Sequence, residues 1–151
     1  MQGQLKRLIV PVDGSAGDRR VLELIGEWMH KQTVSMTLIY VVEVKQSMPL
    51  DAELPTEIAT GDVVLNEAER LARATLGTHA ERLTTELLQA RSAGAAIVDE
   101  AIERHADAIV MAASNRVKQG KTTMGDNVAY VLKNAPCDVI VVRLAPAPRD
   151  G

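Results

Sequence analysis

AIVMAASNRVKQGKTTMGDNVAYVLKNAPCDVIVVR, residues 108–143, is the stretch whose reading decides the fold. Apolar, β-branched runs at Asp107 to Ala113 and Asp138 to Arg143 have the composition of buried strands. Between them the loop from Ser114 to Thr123 carries Arg116, Lys118 and Lys121, and Gly125-Asp126-Asn127 opens a helix whose Val128, Val131 and Leu132 share a face until Pro136 ends it. Strand, polar loop and helix start, in that order, bring backbone N–H groups and a positive helix end to the mouth of a sheet, where anionic ligands settle.

The same alternation extends towards the N-terminus. Leu5 to Asp13, LKRLIVPVD, is a continuous apolar run bounded by Gly14, as expected of a parallel strand buried on both faces, with Pro11 marking where it leaves the sheet. Asp13-Gly14-Ser15 follows as a turn. Val21, Leu22, Leu24, Ile25, Trp28 and Met29 recur at helical spacing between Ala16 and Lys31, with Asp18 near the positive end of the helix dipole. Val34 to Val44 is a second strand, and Lys45 to Glu57, with two prolines, a surface connection. A long helical pattern runs from Asp62 towards Arg82 with Gly77 inside it, Leu83 to Ala90 is a weaker strand pattern, and Ala96 to His105 is a third helix. The order β-α-β-α-β-α-β-α-β predicts an α/β fold, a single doubly wound, five-stranded parallel sheet flanked by helices, in one domain over 1–151 with frayed ends at 1–4 and 145–151.

Composition narrows the function. A chain of 151 residues with 46% hydrophobic and 25% charged content matches one ordinary α/β domain. A net charge of -3 and 2% aromatic residues argue against a nucleic-acid binder, which needs a basic face and stacking platforms. The single cysteine fits a reducing compartment, no apolar run approaches a membrane span, and Met1 to Arg7 lacks a signal-peptide core, so a cytoplasmic protein with no direct membrane insertion is expected.

Four segments, LIVPVDGS (8–15), IYVVE (39–43), ADAIVMAASN (106–115) and VLKNAPCDVIVVR (131–143), resemble the universal stress protein family in order and separation. The resemblance covers nearly the whole chain. It implies the adenine nucleotide alpha hydrolase-like, Rossmann-like arrangement and a dimeric regulatory module that senses an adenine nucleotide (ATP, ADP, AMP or cyclic AMP). It also implies a homodimer through strand 139–143 and, for some members, a protein partner such as a membrane transporter. Nucleotide-binding members carry a pattern that resembles G-x2-G-x9-G-[ST]; laid on this chain it falls on Ala112, Asn115, Gly125 and Asp126, so only Gly125 matches. The implied site is Pro11, Val12 and Asp13 at the end of the first strand, with Asp13 accepting from the adenine amino group and Val41 and Met111 sandwiching the base. Ala112, Ser114, Asn115, Arg116, Gly125, Asp126 and Asn127 would lie at the phosphates.

The departures weaken that phosphate site. Ala112 adds a methyl where backbone should approach the ligand, and is strained if its φ is positive. Asn115 is the milder change, because Asn tolerates the left-handed region. A carboxylate at Asp126, about 5 Å from a phosphate oxygen, costs on the order of 1 kcal/mol in water and about 3 kcal/mol at an effective dielectric of 20. Asp126 is alternatively an N-cap accepting from Val128 or Ala129 N–H, or a Mg2+ ligand with Arg116, Lys118 and Lys121 supplying compensating charge.

Other candidates have ordinary readings. Asp13 is equally a turn-forming Asx residue before Gly14, and Val41 and Met111 are equally good core residues. Ser15 is read as bonding a backbone amide rather than accepting a phosphoryl group. Asn115 to Thr122 differs from a P-loop only at its first Gly, but Gly125 places the helix start too late for one. His30, His79 and His105 have no metal spacing, and Cys137 is a small hydrophobe. No catalytic base or triad is legible, which leans away from an enzyme, with a slow ATPase and a non-nucleotide interaction module as alternatives.

Overall fold

The computed structural model describes residues 5–29, 32–113, 116–118, 121–123 and 126–145; for 116–118, 121–123 and 126 it describes backbone alone. The order is β1 (Arg7–Pro11), α1 (Ala16–Trp28), β2 (Val34–Glu43), α2 (Pro55–Leu76), a 3-10 turn (Gly77–His79), β3 (Ala80–Ala90), α3 (Ala93–Glu103), β4 (Ala108–Ala113), β5 (Arg116–Lys118), β6 (Lys121–Thr123), α4 (Asp126–Asn134) and β7 (Asp138–Arg143). Five strands form one parallel sheet in the order β3-β2-β1-β4-β7, the expected doubly wound arrangement.

The apolar strands are buried on both faces because helices cover both. On one face Leu8, Val10, Val12, Met36, Leu38 and Val110 pack against Val21, Leu22 and Ile25 of α1 and Leu65, Ala68 and Ala72 of α2. On the other, Ile9, Ile39, Ile109 and Met111 meet Ile97, Val98 and Ala101 of α3 and Val128 and Val131 of α4. The period of two along each strand sends alternate residues to these two cores, which is why the runs read as continuously hydrophobic.

Three boundaries differ from the sequence expectation. Gly77 is not inside a helix: α2 ends at Leu76 and Gly77 turns the chain with φ +53°, a conformation glycine adopts without the Cβ penalty. Helix α2 instead begins earlier, at Pro55, because proline fixes a helical φ and its missing N–H costs nothing in the first turn. The released segment lengthens β3 to Ala80–Ala90, an edge strand paired along its whole length with β2. Its broken alternation arises because Leu83 and Leu87 pack on the α1 and α2 core while the adjacent Leu88 packs on the α3 and α4 core. The loop after β4 also holds structure, since β5 and β6 pair as a short antiparallel ribbon.

Among the described residues no helix is long and apolar enough to cross a membrane. The opposite edge strand, β7, keeps Val139, Ile140, Val141 and Val142 half-buried.

Candidate functional site

The switch in strand order lies between β1 and β4, with Ile9 paired to Thr37 on one side and Ile109 on the other. Crossovers leave β1 and β4 towards opposite faces there, opening a crevice at the carboxyl ends. The first strand runs on only to Pro11; Val12 N–H still reaches the Ile39 carbonyl at 2.9 Å, and then the chain turns.

That turn is built by its own side chains. Asp13 Oδ1 accepts from Ser15 N–H at 2.9 Å, an Asx turn. Gly14 sits at φ +87°, and a Cβ there would come within 3.0 Å of Val64 on α2. Ser15 caps α1, its Oγ accepting from Gly17 N–H at 3.3 Å, so its hydroxyl bonds an amide as the sequence suggested.

Asp18 holds the turn from beneath. Its carboxylate accepts from Asp13 N–H at 3.1 Å and Gly14 N–H at 2.8 Å while only 9% exposed. Burial raises this carboxyl from 3.8 to about 6; the two backbone donors oppose the rise and the neighbouring Asp13 carboxylate adds to it. In the sequence Asp18 counts only as a partner of the helix dipole. The signal for more was present: Ser15 followed by an acid three residues later is the capping-box spacing.

Val41 is half-buried on β2 and Met111 is buried on β4, both on the α3 and α4 face. Ala112 points to the other face, and its methyl occupies a space that Gly17 leaves: a Cβ on Gly17 would lie 2.5 Å from Ala112 Cβ. Ala112 is an ordinary strand residue, and His105 is the non-glycine position with positive φ among the described residues, so the strain expected at Ala112 does not arise. Gly17→Ala is therefore expected to destabilise the fold by about 1–3 kcal/mol through overpacking, and adding Ala112→Gly should recover most of the loss. Urea unfolding midpoints of the single and double variants check this; an unshifted midpoint for Gly17→Ala would contradict the contact.

Asn127 is drawn away from the mouth, since its Oδ1 accepts from Gly94 N–H at 3.0 Å and ties α4 to the start of α3. Ser114, Asn115 and Gly125 lie outside the described residues, as do the side chains of Arg116, Lys118, Lys121 and Asp126. The backbone places Arg116 at the start of β5 and Asp126 as the first residue within α4, one position inside the N-cap place the sequence suggested. His30 falls outside the described residues, whereas His105 turns the chain after α3 and His79 ends the 3-10 turn, as end-of-helix roles require. Cys137 packs against the α3 and α4 core, and burial pushes its thiol above its ordinary value, which keeps it protonated and unreactive.

An apolar groove of about 590 Å3 runs along the first half of α2, lined by Pro55, Ala59, Val63 and Val64 among others. The approach of Val64 to Gly14 joins it to the mouth. It was hidden in the sequence because its first residues read as a connecting loop. Among the described residues no cluster of three or more His, Cys, Asp or Glu is placed to hold a metal ion.

Sheet order, crevice and turn define a doubly wound α/β protein whose crevice opens where β1 and β4 part. The model of the universal stress protein family matches residues 4–143, and the chain belongs to that family. It is 26% identical over 144 residues to the universal stress protein MJ0531 of Methanocaldococcus jannaschii, covering 91% of this chain and 82% of that protein. The universal stress protein of Archaeoglobus fulgidus in complex with dAMP superposes with a TM-score of 0.69 at 22% identity, over 91% of this chain and 97% of that one. A universal stress protein in complex with cAMP gives 0.68 at 20% identity, over 95% and 100%.

Proposed function

We propose that the chain works as one domain, a regulatory module that binds an adenine nucleotide at the β1–β4 mouth and pairs with a second copy through β7. The observation that carries the reading is the Asp13-Gly14-Ser15 turn, held from beneath by Asp18 at the switch in strand order. In this reading the carboxylate of Asp13 meets the adenine amino group, Val41 and Met111 flank the base from the α3 and α4 face, and Pro11 and Val12 bring the backbone of β1 to it. The dAMP and cAMP complexes of proteins with the same fold support an adenine ligand.

The phosphate side is the weakened side. Asp13 and Asp18 put acidic groups at the turn, Asp126 is an acidic first residue of α4, and each added phosphate charge meets their field. Monophosphates, AMP and cyclic AMP, are therefore favoured over ATP. The chain's own contribution to any Mg2+ would come from Asp126, which stands at the N-terminus of α4. The dimer follows from β7, an apolar edge strand that offers unpaired backbone groups to a second copy.

Isothermal titration with AMP, cyclic AMP and ATP tests the nucleotide claim. AMP should release heat, and Asp13→Ala should weaken it by about tenfold or more. No heat with any of these nucleotides would sink it. Sedimentation tests the dimer separately: the native chain should run as a dimer at micromolar concentration, and Val141→Lys as a monomer. A native monomer would refute the β7 pairing.

One observation favours a second reading. Asp13 and Gly14 N–H are already taken by Asp18, so these amides are not offered to a phosphate. A non-nucleotide interaction module acting on a protein partner, such as a membrane transporter, is the reading that remains if titration is silent while the dimer persists.

A further inference from the structure

We propose that the chain carries a second anion site, at the end of the sheet opposite the nucleotide mouth, that takes a phosphate-class oxyanion. A parallel strand covered by helices should be apolar on both faces, and the upper rows of the α3 face obey this with Ile9, Ile39 and Ile109. The opening rows do not. Register sets Arg82 beside Ser35 and Ser35 beside Arg7, and in the next row but one sets Thr84 beside Thr37. Arg104, the residue that ends α3, stands over these rows, and together they line a cleft of about 260 Å3 with Arg7, Ser35, Thr37, Arg82 and Thr84.

The charges in the cleft are unequal. Arg104 is shared by Glu86 and Glu100, two acidic groups on one guanidinium, so its positive charge is fully taken up and that side of the cleft is net acidic. Asp107 turns its Oδ2 to the N–H groups of Lys6 and Arg7 at 2.9 and 2.8 Å, which directs that carboxylate to the backbone. Arg7 and Arg82 have no ion-pair partner among the described residues. Two planar guanidinium groups with several N–H donors each, beside the hydroxyls of Ser35, Thr37 and Thr84, form a donor set for a tetrahedral oxyanion. Thr37 is 7% exposed, so an anion beside it is partly shielded from water and its hydrogen bonds are strengthened. The cleft is less than half the size of the groove on α2, which suits inorganic phosphate or a small phosphomonoester better than a nucleotide.

The test is an amide-resolved NMR titration of the native chain with inorganic phosphate in low-chloride buffer, with glycerol phosphate in a parallel arm. Saturable shifts should appear at Arg7, Ser35, Thr37, Arg82 and Thr84. Arg7→Gln and Arg82→Gln should each raise the dissociation constant about tenfold or more, because each removes charge-assisted donors. Both side chains are on exposed residues, so the variants should fold, and unchanged thermal midpoints in phosphate-free buffer confirm it. Tighter binding of glycerol phosphate assigns the site to a phosphomonoester, and tighter binding of phosphate assigns it to the free ion. Shifts confined to Asp13 and Gly14, no saturation, or equal affinity in the native and Gln variants would overturn the proposal. Because the two ends are read by different amides, this result does not depend on whether a nucleotide binds the mouth.

Discussion

Asp126→Ser should tighten ATP binding roughly tenfold to hundredfold, measured by isothermal titration of the two proteins under one salt condition. Asp126 is the first residue of α4, where amide donors and the helix dipole favour an anionic ligand, and an acidic residue at that position adds a like charge. Removing it deletes a repulsion that grows with each phosphate charge, so the gain should be largest for ATP and smaller for AMP. Ala112→Gly should add little, because the Ala112 methyl faces Gly17 on α1. Salt supplies a control: the ratio between Asp126→Ser and the native chain should shrink as ionic strength rises. The opposite outcome is equally informative. If Asp126→Ser weakens ATP binding in Mg2+ and does nothing in chelator, Asp126 is a metal ligand and the repulsion argument fails.

How far the sequence carried depends on whether each residue's role is local or tertiary. The sheet was legible because Leu8, Ile9 and Val10, or Ile109 and Val110, are buried from both sides and leave no polar alternation. The turn at Asp13-Gly14-Ser15 was legible because Asx and N-cap bonds are made within a few residues. Gly77 misled, since the helical period runs through it and only its positive φ shows that it ends α2. Gly17 and Ala112 could not be paired from the sequence, because they touch across the helix–sheet interface and neither has a motif of its own. The bond between Asn127 and Gly94 was hidden for the same reason: the two are brought close only by α3 packing on α4. The basic cleft was invisible because Arg7, Ser35 and Arg82 come from three strands and meet only once the register is set.

Asp18 should titrate near pH 6 and make the fold less stable as pH rises towards that value. Its carboxyl is raised from 3.8 to about 6, first by burial, against the pull of Gly14 and Asp13 N–H and with the push of the Asp13 carboxylate. In the unfolded chain the same carboxyl loses its proton near 3.8, so between these values the unfolded state binds fewer protons than the folded one. The Asp18 contribution therefore favours folding in full below pH 4, is lost as pH rises from about 4 to 6, and is constant above, an amplitude on the order of 2–3 kcal/mol. Asp18→Asn isolates it, because every other titrating group is shared by the two proteins. An Asn amide resembles the protonated carboxyl, with one strong acceptor oxygen facing the two N–H groups of the turn, and it keeps that form at every pH. The variant, which cannot ionise, should thus be close to the native chain at pH 4 and more stable than it at pH 7, where the native chain has lost the Asp18 contribution. Urea denaturation across this range, with the Asp18 side-chain carbon followed by NMR, measures both quantities. A midpoint near 4, or a stability difference that does not change between pH 4 and 7, would mean that the turn beneath the mouth is held by an ordinary, solvated carboxylate.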